Sequence, residues 1–143
     1  MPLAQTKSRP VSISILFVLI AFQGLSGMLG GAFLALDPTG ESLHMPISML
    51  DGSPFSDFFI PGLILLVILG IFPILILYGL WKKDRRAWFG SLIVGFALII
   101  WISVEILMIG YHTQPPLQLI YGLVGFLIVD VALLPSVKKY FRH

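Results

Sequence analysis

From Val11 to Leu36 the chain carries no Asp, Glu, Lys or Arg. A helix needs about 20 apolar residues to cross a bilayer core, and a helix packed in water needs a polar face. An uncharged run of this length therefore points to a membrane span. Three further apolar runs follow at about 58–81, 88–109 and 117–137. None alternates with a period of two, as the strands of a membrane barrel would. Composition agrees: 57% of the 143 residues are hydrophobic and 11% are charged. Soluble domains carry about 25% charged residues, and small ones cannot hide so much apolar surface. The sequence predicts an all-α polytopic membrane protein, with one domain over residues 1–143. Its four transmembrane helices form an up-down bundle, and an ordered outer loop at 37–57 joins the first two.

The first run has a basic start like that of a signal peptide. It is longer than an h-region of about 7–15 residues, and Ala32-Phe33-Leu34-Ala35 is a poor cleavage site, so it is read as a span. The basic residues set the orientation. Lys7 and Arg9 precede the first run, Lys82, Lys83, Arg85 and Arg86 separate the second from the third, and Lys138, Lys139 and Arg142 follow the fourth. With four spans all of these lie on one side, and the positive-inside rule places both termini in the cytoplasm. The net charge of +2 is thus a matter of orientation, and the expected partner is the bilayer, with no nucleic acid. Trp81, Trp88, Tyr78 and Tyr140 mark the inner interface. Phe58, Phe59 and Tyr111 mark the outer one.

The chain has no cysteine, which excludes disulfides, Cys-ligated zinc and iron–sulfur clusters. No H-E-x-x-H, G-x-S-x-G or P-loop pattern occurs. The reading therefore assigns no catalytic residue, no cofactor and no metal site.

Gly24, Gly27, Gly30 and Gly31 line the first span, with Gly27 and Gly31 in a G-x-x-x-G pair. Gly24, Gly27 and Gly31 are the helix-packing candidates, because small residues let a second helix approach closely. Packing within the chain is the favoured use, with homodimerisation as the competitor. Gln23 lies beside Gly27 and Gly30, and its amide requires a partner at mid-membrane. Pro73 should kink the second span.

Asp37-Pro38-Thr39-Gly40 has type I turn chemistry. Ser53 before Pro54 resembles an N-cap and a first helical residue, which starts the second helix at Pro54. Leu43, Met45, Ile47, Met49 and Leu50 are too apolar for a free loop and should fold back over the outer end. Asp37, Glu41, Asp51 and Asp57 match no calcium-loop spacing.

Glu105 and Asp130 are acids inside the third and fourth spans. Such residues are costly, tend to face the bundle interior, and are functional candidates by default. Counting along antiparallel helices puts them roughly 15 Å apart along the normal. Gln118, Tyr121, Tyr111 or His112 could meet Glu105. Lys82, Lys83 or Tyr78 could meet Asp130. His44, His112, Gln118 and Tyr121 form a candidate outer-face polar cluster.

The run from Gly27 through the outer loop to Leu65, with Trp101–Tyr111 and Leu117–Val129, resembles a group of small, uncharacterised bacterial multi-pass membrane proteins. The D-P-T-G and S-P-F-S-D-F-F-I-P-G pieces carry the resemblance. It implies a bacterial plasma-membrane location and brings neither an activity nor site residues. The leading expectation is a non-enzymatic structural or accessory membrane protein, alone or with a membrane-protein partner. The alternative is a small proton- or cation-coupled transporter or channel, as a homodimer in one form, using Glu105 and/or Asp130. A third reading is a lipid-directed enzyme using His44, His112 and the loop acids.

Overall fold

The computed structural model describes residues 10–41, 47–51, 54–109 and 117–142. Helix α1 runs Val11–Leu36, matching the first apolar run. A 3-10 turn at Ile47–Leu50 follows. Helices α2 (Phe59–Leu66) and α3 (Phe72–Trp81) join through a π-turn at Val67–Ile71 into one continuous rod. Then come α4 (Arg85–Ile109), α5 (Leu117–Ala132) and α6 (Pro135–Phe141). Every regular element among the described residues is helical. Val11–Leu36, Phe59–Trp81 and Arg85–Leu107 are long and apolar enough to cross a membrane. A fourth crossing is counted if the bent pair α5–α6 is taken as one. The helices also expose apolar side chains outward, among them Val18, Leu25, Leu29, Phe96 and Ile100. Such a surface belongs in lipid rather than water.

Two boundaries differ from the sequence reading. The second helix begins at Phe59 instead of Pro54. The Phe58 N–H donates to the Pro38 carbonyl at 2.9 Å, which ties this stretch to the Asp37–Gly40 turn before it can wind. The Asp57 carboxylate then accepts the Phe59 N–H at 3.0 Å. Ser53, the expected cap, lies outside the described residues.

The fourth apolar run is not one straight helix. It breaks after Ala132, and α6 leaves at 64°. Pro135 is the cause. It has no N–H for the Val131 carbonyl, and it holds Leu134 extended at φ −61° and ψ 141°. The Trp88 indole N–H donates to the Ala132 carbonyl at 2.8 Å, satisfying an acceptor exposed where α5 stops. The first and last helices meet there too, through a 2.7 Å hydroxyl bond between Ser12 and Ser136.

One end of the bundle carries the 37–57 loop (the loop end) and the other carries Lys82–Arg86 and α6 (the basic end). The main core runs from the basic end, around Ile13, Leu16, Leu80, Val94, Val137 and Phe141, to Leu69, Leu98, Ile102 and Val124 beside the glycine contacts. A smaller cluster of Leu34, Leu50 and Phe58 closes the loop end. Leu50 of the 3-10 turn is thereby buried against the end of α1 and the start of α2.

Glycines set the two tightest helix contacts. A Cβ at Gly27 would collide with the Leu69 carbonyl, and one at Gly31 with the Leu66 backbone. A Cβ at Gly70 would lie 2.7 Å from the Met28 amide nitrogen. The stripe on α1 is thus used within the chain, against α2 and the π-turn. On the opposite side, Gly95 of α4 faces Gly125 of α5, where a Cβ on either would lie 3.1–3.2 Å from the other's carbonyl oxygen.

Candidate functional site

The glycine contacts pull α2 onto α1. At the basic end α3 packs on α4, whereas toward the loop end α2 stays with α1 and leaves α4. The gap is a cavity of about 760 Å³ between α1, α2, α4 and α5. Its walls are mostly apolar: Leu34 from α1, Pro61, Ile64, Leu65 and Ile68 from the second rod, and Ala97, Leu98, Ile100 and Val104 from α4. Leu50, Pro54, Phe55 and Phe58 line its loop end. Ile68, Ile100 and Val104 are also exposed to the outside of the bundle, so the cavity opens sideways between the second rod and α4. A volume and lining of this kind are those of a small-molecule site.

A few polar groups converge on it: Gln23, Ser26, Trp101, Glu105, Gln118 and Tyr121. The Ser26 hydroxyl donates back to the Phe22 carbonyl at 2.7 Å, a common arrangement within a helix. The Gln118 amide donates to Glu105 Oε1 at 3.1 Å. Gln118 is buried and Glu105 half-buried. The pair joins α4 to α5 at the loop end, and Gln118 is one of the partners expected for Glu105. The Tyr121 ring lies one turn further along α5 and stacks on Phe22, centroids 5.6 Å apart. That stack brings α5 beside Gln23 on α1.

Gln23 is 1% exposed. Its amide N–H donates to the Leu69 carbonyl at 3.0 Å. The sequence explains why that carbonyl accepts. Leu69 precedes Pro73 by four residues, and proline lacks the N–H that would otherwise return to it. The helix responds with a π-turn, in which the Phe72 N–H donates to the Val67 carbonyl. Gln23 supplies a donor from the neighbouring helix. Its carbonyl oxygen, Oε1, is buried and has no hydrogen-bond partner among the described residues. The bond to Leu69 fixes which end of the amide is which.

Asp130 is elsewhere. It is exposed, on the outward face of α5 with Leu123, Phe126 and Leu127, which corrects the expectation that it faces the interior. The partners suggested for it are engaged otherwise. Lys82 lies over the Tyr78 ring at 5.6 Å, and Lys83 over the Tyr140 ring at 4.5 Å. The break at Pro135 also changes its depth. Asp130 stands two residues from the end of α5 rather than seven from the end of a longer span. His44, His112 and Tyr111 lie outside the described residues. Among the described residues no group of three His, Asp or Glu side chains could hold a metal ion.

Sequence reasoning grouped Glu105 with Gln118 and Tyr121, named Gln23 apart from them, and missed the cavity that collects all four. It also missed Ser26, Trp101 and the Gln23–Leu69 bond. The one available signal was Pro73 itself, which marks the carbonyl four residues earlier as seeking a donor.

The substitution Gln23→Met is expected to lower stability in detergent by about 1–3 kcal/mol, because the Leu69 carbonyl loses its donor inside a dry seam. In a Pro73→Ala background residue 73 carries its own N–H, and the same change is expected to cost less than half as much. A double-mutant cycle on thermal unfolding checks this, and equal costs in both backgrounds would break the link.

Comparison with known protein families, with characterised proteins and with solved structures finds no match to this chain.

Proposed function

We propose that the chain is a four-span membrane protein of non-enzymatic, accessory type whose loop-end cavity holds the apolar part of a lipophilic molecule drawn from the bilayer. The carrying observation is the cavity of about 760 Å³, walled by aliphatic and aromatic side chains and open sideways between the second rod and α4. A molecule leaving the acyl-chain region could enter there without passing through water.

In this reading α5 is the fourth crossing. Its 16 residues reach about 24 Å, a shortfall that a bilayer accommodates by local thinning and snorkelling. Helix α6 then lies along the inner interface, with Lys138 and Lys139 exposed and Val137 and Phe141 buried. The basic residues place both termini in the cytoplasm and the cavity in the outer leaflet. The resemblance of the outer loop suggests the bacterial plasma membrane.

The orientation has a direct test because the chain is free of cysteine. In intact cells an impermeant maleimide should label Glu41→Cys at once and Lys139→Cys only after permeabilisation. The reverse pattern would invert the topology.

Filling the cavity tests the binding. Ala97→Trp, and separately Ile68→Trp at the lip, should cut the lipophile retained on purification by about tenfold, the effect of losing roughly 1.4 kcal/mol of binding. Native mass spectrometry reads this, with circular dichroism as the check on folding. Retention unchanged in both folded variants removes the proposal.

A second reading rests on Glu105, the carboxylate that lines the cavity. There the protein is a small transporter in which Glu105 carries a proton or cation. Proteoliposomes should then show proton-linked flux of a lipophilic cation that Glu105→Gln abolishes. Equal flux in the variant, or none in the wild type, would sink it.

A further inference from the structure

We infer that the cavity selects a hydroxyl-bearing, phosphate-free amphipath, with the hydroxyl donating to Gln23 Oε1. This deepens the cavity reading above and rests on it. Three observations carry it.

First, Gln23 lines the cavity, is 1% exposed, and has its Oε1 without a partner among the described residues while its nitrogen is committed to Leu69. A buried acceptor left unmet is costly, and a donor brought to it recovers that cost. The missing group must be a donor, because Oε1 cannot donate. A hydroxyl supplies one without carrying a charge into a seam this dry, where an ammonium would lose most of its hydration.

Second, the lining holds no Lys or Arg among the described residues, and its one acidic side chain is Glu105. A phosphate or carboxylate head would meet a carboxylate and no cation. This lining therefore rejects the common anionic phospholipids, although their chains would suit the walls. Discrimination by an unpaired charge is stronger than discrimination by shape in an apolar pocket.

Third, the place of Gln23 along the cavity suits such a molecule. Gln23 sits midway along α1, and Pro54, Phe55 and Phe58 line the loop end of the cavity. A hydroxyl brought to Gln23 would leave its chain to run along Ile64, Leu65 and Ile68, which line the same cavity.

The test changes the ligand and leaves the protein alone. Oleyl alcohol, oleyl methyl ether and oleyl phosphate are titrated against the full chain in detergent, with native mass spectrometry as the readout. The alcohol and ether share a chain, and only the alcohol donates. The expected result is that the alcohol binds about tenfold more tightly than the ether, with the phosphate weakest, the size of effect one buried hydrogen bond gives. Gln23→Met should bring the alcohol down to the level of the ether. Gln23→Glu should keep the preference, because its protonated carboxyl can donate to Leu69 and still present an oxygen. Equal affinity of alcohol and ether for the wild type, a preference that survives Gln23→Met, or phosphate as the tightest ligand would each overturn the inference. Binding of none of the three would instead remove the cavity reading on which it stands.

Discussion

The bundle depends on one crossing, where Gly27 of α1 lies against the Leu69 carbonyl and the Gln23 amide donates to that same carbonyl. In a bilayer, apolar side chains gain little by leaving lipid for one another, so helices associate through close packing and hydrogen bonds. This crossing supplies both. The glycine removes the side chain that would hold the backbones apart, and the glutamine bridges the short distance that results. Pro73 completes the arrangement, since a carbonyl already engaged within its own helix would give Gln23 less to bind.

The cavity follows from the same crossing. Glycine contacts draw the loop-end half of the second rod onto α1, and a second glycine contact draws α5 onto α4. The two pairs meet across the well-filled core of the basic half. Toward the loop end nothing comparable joins α2 to α4, and the pairs part. Leu50 and Phe58 close the top, and the space between is left with few polar groups. Those groups are the ones that hold helices together: the Glu105–Gln118 bond between α4 and α5, and the Phe22–Tyr121 stack between α1 and α5. The same side chains that secure the bundle give the cavity its chemistry.

The two acids Glu105 and Asp130 separate cleanly in this frame. Glu105 has a partner on the next helix and a place in the cavity wall. Asp130 stands on the outward face of α5, close to its end. An acid two residues from a helix end has water or headgroups within reach of its side chain, and so avoids most of the cost of burial in hydrocarbon. The break that places it there comes from Pro135, and Trp88 covers the carbonyl exposed by that break.

Much of the architecture was legible in the residues alone. Apolar runs of membrane length identify the helices, because an unpaired backbone group in lipid is too costly for any other local structure. The extent of α1, the packing role of Gly24, Gly27 and Gly31, and the need of Gln23 for a partner all follow from local chemistry, whereas the choice of a partner helix within the chain does not. Other features depend on neighbours distant in the chain. The start of α2 is decided by the bond from Phe58 to Pro38, and the partner of Gln23 by a proline fifty residues away. The direction Asp130 faces depends on which side of α5 meets α4. The cavity is the extreme case, since a void is set by where side chains stop and no residue encodes it. Sequence by itself determined that this chain belongs in a membrane and which residues would be expensive there. Only the tertiary structure decided which of those costs are met within the chain, and that one of them, at Gln23 Oε1, has no partner among the described residues.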